Sequence, residues 1–305
     1  MKLISSMLIM IGFIANTAQA NPYGMVYTKQ ELAKMQKRPS SNDLDAILSN
    51  SRLDYHGGMV ISNILAYSVM WGEGVDSRVQ SGVGSLLTAM LNSTLFDMLS
   101  QYSTVGAKVV GGHASSQQVI GRGSYGGNVV IHPSNAASTV TDSQVGAEIE
   151  YQIRLGVLPA PNENTVYSMF FPPGISISLG RALSWQVFCG YHHKYNSSQY
   201  GEIHYTVLPN FDGLCAAGCG SATDSFATLS IVLSHEITEV VTDPSASGGS
   251  GPAFPDAWNT SGGQEIGDLC AQRYTSLKTS NFTYEIQEQF DNRTNSCDET
   301  IYTSP

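Results

Sequence analysis

Residues 224–244 read DSFATLSIVLSHEITEVVTDP, and this stretch decides the fold that the sequence predicts. Asp224 is of a residue type that caps helices, and Pro244 ends one because proline cannot continue the backbone hydrogen bonds. Apolar side chains cover much of the helix circumference, which is typical of a helix inside a core. We therefore predict a mostly buried helix of nineteen residues, 224–242.

The charged residues of this helix indicate a metal site. His235 and Glu239 are four positions apart, so their side chains lie on one face, one turn apart. The spacing resembles the zinc-binding pattern His-Glu-x-x-His, whose first and last residues hold the metal while the glutamate between them activates water. Here Glu239 replaces the second histidine, and Glu236 has the place of the general base. A buried carboxylate without a partner is very costly, and a divalent cation would offset that cost.

A second acidic segment, QEIGDLC at 264–270, supplies further ligands. Glu265 is the expected third ligand, and Asp268 is either a fourth ligand or a residue that orients one. A donor set of one histidine and carboxylates is harder than a set with two histidines. Manganese, iron and calcium therefore compete with zinc, which remains the first choice. Coordination positions left open for water are typical of a catalytic metal.

Histidines upstream of the helix are further candidates. His204 can donate to a transition state or replace a ligand, although a lone strand histidine is more often only hydrogen-bonded. His192 and His193 are adjacent, so they face opposite ways on a strand and at most one serves any site. Cys189 could form a nucleophile pair with His192 or His204, but disulfide formation competes with that role.

The remaining segments predict an α+β fold. The hydrophobic pattern predicts a strand within 59–71, an amphipathic helix over 78–101, hairpins or loops over 103–138, a helix capped by Asp142, and strands at 166–171, 185–188 and 203–208. The predicted architecture resembles zincins: a mixed sheet carries the buried active-site helix, and disulfides staple the C-terminal half.

The N-terminal segment and the composition bear on location and partners. Residues 1–20 combine a positive start, an apolar run and a small-residue cleavage site after Ala20, which predicts a signal peptide and a secreted or periplasmic protein. We expect an N-terminal extension over 21–54 and a single domain over 55–305, with no transmembrane segment. Lys and Arg total 15 against 25 Asp and Glu, and a net charge of −10 argues against nucleic acid as a partner.

All five cysteines lie in the second half of the chain, where an exported protein would keep them as disulfides. Cys215 and Cys219 are near enough in sequence to close a small loop. Cys270 and Cys297 could tie down the last segment. The odd number leaves one thiol over, and the pairing stays open between Cys189 and these four.

Several short stretches resemble the phosphate-induced protein 1 family, also called Exordium-like. They follow the family's order and comprise YHGG at 55–58, MWG at 70–72, GVLP at 156–159, VY at 166–167, FCGYH at 188–192, HEITEVVTDP at 235–244, EIGDLC at 265–270 and the segment 284–297. The resemblance implies a secreted protein, and plant members are associated with the cell wall and growth. Plant members lack the His-Glu-x-x-Glu residues, so this chain looks like the microbial, metal-binding branch.

These features predict a metal-dependent hydrolase that acts on a peptide or protein. The alternative is a non-catalytic secreted protein that binds a cell-wall or host-surface component, with a structural ion or none. In a third interpretation Glu236 and Glu239 only pair with basic or hydroxyl groups in a helix that packs. The hydrolase hypothesis expects the carboxyls of Glu239 and Glu265 to converge on His235, in a pocket that opens to solvent.

Overall fold

Short strands and a few helices make up the computed structural model, which describes residues 25–35, 48–135, 137–212, 218–220, 224–246 and 252–305. The strands are β1 (Met25–Tyr27), β2 (Asp54–Tyr55), β3 (Leu65–Trp71), β4 (Ser124–Ile131), β5 (Thr139–Thr141), β6 (Thr165–Phe170), β7 (Ser176–Leu179), β8 (Ala182–Leu183), β9 (Phe188–Ser197), β10 (Gly201–Leu208), β11 (Trp258–Asn259), β12 (Tyr274–Lys278), β13 (Thr283–Gln287), β14 (Phe290–Asp291), β15 (Ser296–Cys297) and β16 (Tyr302–Thr303). The helices are α1 (Lys29–Met35), α2 (Ser77–Leu91), α3 (Thr94–Leu99), α4 (Asp142–Arg154) and α5 (Ser225–Thr242).

The largest sheet has six strands in the order β1-β9-β10-β6-β3-β4. Strands β10, β6, β3 and β4 run parallel to one another, whereas β9 is antiparallel to both β10 and β1. One hydrophobic cluster joins one face of this sheet to α2 and α5, and a second joins the other face to α4. The mixed α+β class predicted from the sequence is confirmed.

Helix α5 follows the sequence prediction closely. Asp224 caps it by accepting a hydrogen bond of 3.2 Å from the Ala227 backbone N–H, and the last helical residue is Thr242. The helix packs against β9 and β10 on one side and against β13 on the other. Because strands cover it on two sides, its whole second half is buried.

Other boundaries differ from the prediction. The helix predicted over 78–101 is two helices, α2 and α3, because the Ser93 side chain accepts from the Leu95 backbone N–H and starts a new helix. Thr141, not Asp142, caps α4, since its hydroxyl and the Gln144 side chain form a reciprocal capping box. The strand predicted at 185–188 is wrong, because the positive φ of Trp185 makes a turn and β9 starts only at residue 188.

Two segments for which the sequence predicted no definite element also contribute strands and helices. The region predicted as hairpins or loops, 103–138, contributes β4, which lies beside β3 in the main sheet. The described part of the predicted extension over 21–54 forms β1, α1 and β2. The predicted signal peptide lies outside the described residues. Within the described ranges, no helix is both long enough and apolar enough to cross a membrane.

Two disulfides lie in the C-terminal half. Cys270 pairs with Cys297, as suggested from the sequence, whereas Cys219 pairs with Cys189. The suggested loop between Cys215 and Cys219 is therefore wrong, and Cys215 lies outside the described residues. The Cys189–Cys219 bond ties β9 to the segment just before α5, and the Cys270–Cys297 bond ties the acidic segment to β15.

We expect the Cys270–Cys297 bond to contribute measurably to stability. Its partners are 27 positions apart, and a loop of that length predicts about 3 to 4 kcal/mol from restriction of the unfolded chain. Replacing both cysteines by alanine should lower the free energy of unfolding by about that amount in urea titrations without reductant. Cys215→Ala is the control, and an unchanged unfolding midpoint in the double variant would contradict the expectation.

Candidate metal centre

The imidazole of His235 and the carboxylate of Glu239 lie together inside the protein. Their spacing on α5 places Nε2 of His235 2.9 Å from Oε1 of Glu239, and each residue is at most 1% exposed. Burial lowers the pKa of His235, but the negative charge and hydrogen bond of Glu239 outweigh it, so the net pKa is raised. The pair that the sequence predicted on one helix face is present.

Gln287 on β13 orients the His235 ring. Its amide NH₂ donates to the Gly267 carbonyl at 2.8 Å, which leaves its oxygen to accept from Nδ1 of His235 at 3.1 Å. With the proton on Nδ1, the lone pair of a neutral imidazole is at Nε2 and faces the Glu239 oxygen. Two acceptors in contact require a proton or a cation between them. A histidine whose Nδ1–H is held by a carbonyl oxygen is the usual form of a metal ligand.

The acidic segment reaches the helix through backbone hydrogen bonds. Oε1 of Glu239 accepts from the Asp268 backbone N–H at 3.2 Å, and a carboxylate oxygen of Asp268 accepts from the Glu265 backbone N–H at 3.1 Å. These contacts bring Glu265 and Asp268 beside Glu239. The four predicted ligands therefore lie around Glu239: His235 and Asp268 share one set of ligand atoms with it, and Glu265 belongs to a second set.

Gly267 lets the acidic segment lie flat against the imidazole. A Cβ atom at this position would be 2.6 Å from Nδ1 of His235, although the backbone φ of −80° suits any residue. Only the lack of a side chain therefore allows the contact.

The variant Gly267→Ala should consequently displace the ring and weaken cation binding by about 10- to 100-fold. Calorimetric titration with zinc would measure the affinity of each variant for the cation. Gly262→Ala is the control. A Cβ atom at Gly262 would be 3.7 Å from its nearest neighbour, the Thr260 hydroxyl oxygen, so this substitution should cause no steric conflict. Equal affinities of the two variants would contradict the role given to Gly267.

His192 on β9 joins the cluster, although it was not among the predicted ligands. Its Nε2 is 3.2 and 3.3 Å from the two carboxylate oxygens of Glu265 and 3.7 Å from Oε2 of Glu239. Burial, followed by the neighbouring His235, lowers its pKa well below the usual range, so the ring stays neutral. Strand alternation had shown that only one histidine of the pair 192–193 could serve a site; His193 faces Asp142 instead, at 2.9 Å.

Two sets of three ligand atoms result, and they share Glu239. One set is His235, Glu239 and Asp268, and the other is His192, Glu239 and Glu265. Within each set the ligand atoms lie within 4.8 Å of one another. Ligands about 2.0 to 2.2 Å from zinc are separated by somewhat less than this, so small movements would suffice to hold an ion.

Glu236 lies three positions before Glu239 on α5, and its carboxylate reaches toward β9. Neither of its carboxylate oxygens accepts a hydrogen bond from any described residue, and the side chain is fully buried. Burial raises its pKa well above the usual range, and the negative charges of Glu239 and Asp268 raise it further. Gly190 makes room for it, because a Cβ there would be 3.1 Å from Oε1 of Glu236 and 2.6 Å from Val232.

His204 lies apart from both ligand sets. Its Nδ1 is 3.1 Å from the carbonyl oxygen of Pro244, and its Nε2 is 4.0 Å from Glu202. Burial lowers its pKa to about 4, against the opposing effect of Glu202. The structure thus shows a hydrogen-bonded strand histidine, and the catalytic role considered for it stays a prediction.

Negative charge dominates the centre. Among the described residues, no lysine or arginine forms an ion pair with Glu236, Glu239 or Glu265. Burial and the neighbouring carboxylates, Glu239 first, raise the pKa of Glu265 well above its usual range. The donor set of carboxylates and imidazoles fits a divalent cation, because such an ion would stabilise the charged forms of carboxyl groups that burial otherwise disfavours.

No family model matches the chain. Comparisons with curated proteins and with solved structures give no match either. The resemblance to the phosphate-induced protein 1 family consequently stays a prediction, and the centre is interpreted from its own chemistry.

Of the two carboxyls expected to converge on His235, Glu239 lies beside it, whereas Glu265 is grouped with His192, and the described residues of the centre are buried rather than open to solvent. His192, His235, Glu236, Glu239 and Glu265 are each at most 1% exposed. A pocket does reach His235 and Asp268, between β1 and a strip of residues at 271–274. The centre is therefore closed over by part of the chain itself.

Proposed function

We propose that this protein is an exported, metal-dependent hydrolase that cleaves peptides. One observation carries the proposal: Nε2 of His235 is 2.9 Å from the Glu239 carboxylate, and Asp268, Glu265 and His192 complete two candidate ligand sets that share Glu239. Zinc is the first candidate, and manganese, iron or calcium are alternatives. Export rests on the leader at 1–20 and is compatible with the two disulfides.

Each residue has a part in the hydrolysis. A bound divalent cation would polarise the substrate carbonyl and make a nearby water more acidic. Glu236 takes the proton of the attacking water while the water oxygen bonds to the carbonyl carbon. It then gives that proton to the amide nitrogen as the C–N bond breaks, leaving a carboxyl and an amine. A buried carboxyl with a raised pKa suits both steps, because it binds a proton more firmly than an exposed carboxyl and can then pass that proton on.

The resemblance to zincins supports the same assignment. There, as in the pattern at 235–239, a buried helix supplies ligands and base, and a later segment supplies a further carboxylate. In this chain the helix lies against a mixed sheet, and the later segment lies at 265–268. The zincin-like fold and the peptidase activity are both proposals.

A second function is favoured by the burial of the centre. A cation held by side chains that, apart from Asp268, are at most 1% exposed could be structural, in a secreted protein that binds a cell-wall or host-surface component. In that case a chelator would lower the free energy of unfolding, and the protein would have no catalytic activity to lose.

An assay on an unfolded protein substrate separates the two functions. The purified protein is incubated with reduced, carboxymethylated protein, and released peptides are identified by mass spectrometry. A hydrolase should release peptides, stop when a chelator is added and recover with zinc. Absence of peptides with the cation shown to be bound would favour the structural ion.

A further inference from the structure

The centre poses a problem of access. The proposed hydrolysis requires a peptide bond to meet Glu236, yet Glu236 and its neighbours are buried. The covering part of the chain next to this carboxylate is β1. This strand contacts α5, and its residues line the pocket that reaches His235 and Asp268.

Strand β1 pairs with the edge of β9 that faces away from β10. Val26 is paired with Gly190, the residue whose missing side chain makes room for Glu236, and Met25 is paired with Tyr191. After the strand ends, the Thr28 backbone N–H donates to Val187 O at 2.9 Å and its hydroxyl donates to Gln186 O at 3.2 Å. The chain thus continues along this edge for four residues.

The backbone of β1 comes close to the catalytic groups. Val26 is paired with Gly190, and a Cβ atom at Gly190 would lie 3.1 Å from Oε1 of Glu236. Burial raises the pKa of Tyr27, and the charge of Asp268 raises it further. An extended backbone at this edge therefore passes beside the proposed base and beside a proposed ligand.

The strand is short. In the described part of the chain it has three residues and pairs with one strand, β9, and this pairing is interrupted between Val26 and Tyr27. A sheet edge without β1 would present unpaired N–H and C=O groups, which readily accept another extended chain. Main-chain hydrogen bonds of this kind are a common way to bind peptides.

We propose that the β9 edge at residues 188–191 is the binding site for an extended peptide, and that β1 occupies it in the resting protein. The peptide binds antiparallel to β9 after β1 leaves, and its backbone then takes the place beside Glu236 that Val26 now has. The catalytic consequence rests on the proposed function, but the binding itself does not.

The test displaces β1 by one substitution in the whole chain. Met25 is 4% exposed in the core cluster on the α4 side of the sheet, so Met25→Asp should detach the strand. Met59→Asp is the matched control, since Met59 is 48% exposed. The probe is a fluorescent peptide of sequence GMVYTKQE, copied from residues 24–31, and its binding is measured by anisotropy.

The Met25→Asp chain should bind this peptide at least about tenfold more tightly than the unchanged chain, because the tethered strand no longer competes. Met59→Asp should bind like the unchanged chain. Thr28→Val keeps the apolar contacts but removes the hydroxyl, and should increase affinity by about fivefold. Thermal unfolding of each variant shows whether it is folded.

A folded Met25→Asp chain with unchanged peptide affinity, or a control that gains as much, would overturn the proposal. A second measurement follows removal of zinc by a chelator, which should be faster in Met25→Asp than in the control. If the protein binds no zinc, the proposed hydrolase function is wrong. The peptide-binding measurement still shows whether the β9 edge is a binding site.

Discussion

Replacing Glu239 by glutamine should weaken binding of a divalent cation by more than about 100-fold. Even residues that only orient a ligand typically contribute 10- to 100-fold to metal affinity, and Glu239 belongs to both ligand sets. The substitution preserves size, but the amide carries no charge and is a poor ligand. The Asp268 N–H can still donate to the amide oxygen, so the segment at 265–268 should stay in place.

The matched control for this variant is Glu148→Gln. Glu148 is also buried, at 5% exposed, and it lies on α4, which packs on the other face of the sheet. Its carboxylate accepts from Ser134 at 2.8 Å and from Gln152 at 2.6 Å, so it is fully engaged away from the centre. Calorimetric titration of both proteins with zinc measures the affinities. Equal affinities would show that Glu239 is not a ligand.

Replacing Glu236 by glutamine should leave the cation bound and lower turnover by about 10²- to 10⁴-fold. Glu236 is outside both ligand sets, and its oxygens accept no hydrogen bond from the described residues. Removing it should therefore disturb no contact, while the water loses its base. We also expect the cation-free protein to become more stable, because an unpartnered buried carboxyl is replaced by a neutral group.

Peptide release from the unfolded substrate and zinc content, measured on the same preparation, check this prediction together. Glu148→Gln again serves as the control and should keep both. Unchanged peptide release by Glu236→Gln would remove Glu236 from its role as base. Loss of the ion would instead place it among the ligands.

Local signals explain what the sequence predicted well. The end of α5 at Thr242 followed from Pro244, and its cap from Asp224, because both act within one turn. The convergence of Glu265 on the helix followed from the chemistry of buried carboxylates, since unpaired charges in one core tend to share a cation.

The missed features depend on contacts between distant segments. His192 contacts Glu265, which is 73 positions away in the sequence. Strand alternation predicted that only one of His192 and His193 could serve a site, but it could not show which one. Gln287 orients His235 from 52 positions away, and no motif in the sequence around Gln287 predicts this contact.

The same reason explains the errors in strands and disulfides. Three residues of β1 form a strand only because β9 offers an edge to them. Cys219 pairs with Cys189 because the packing of α5 on β9 brings them within 5.5 Å between Cα atoms, which overrides the nearness of Cys215 in the sequence.

Metal analysis of the purified protein tests the central claim most directly. The chain is purified without chelator, its metal content is measured, and the stripped protein is then titrated with zinc, manganese and calcium. We expect at least one equivalent of a divalent ion in the first measurement or tight binding of one of the three in the second. A protein that is free of ions and remains so when offered all three would contradict the claim that His235, Glu239 and their neighbours form a metal centre.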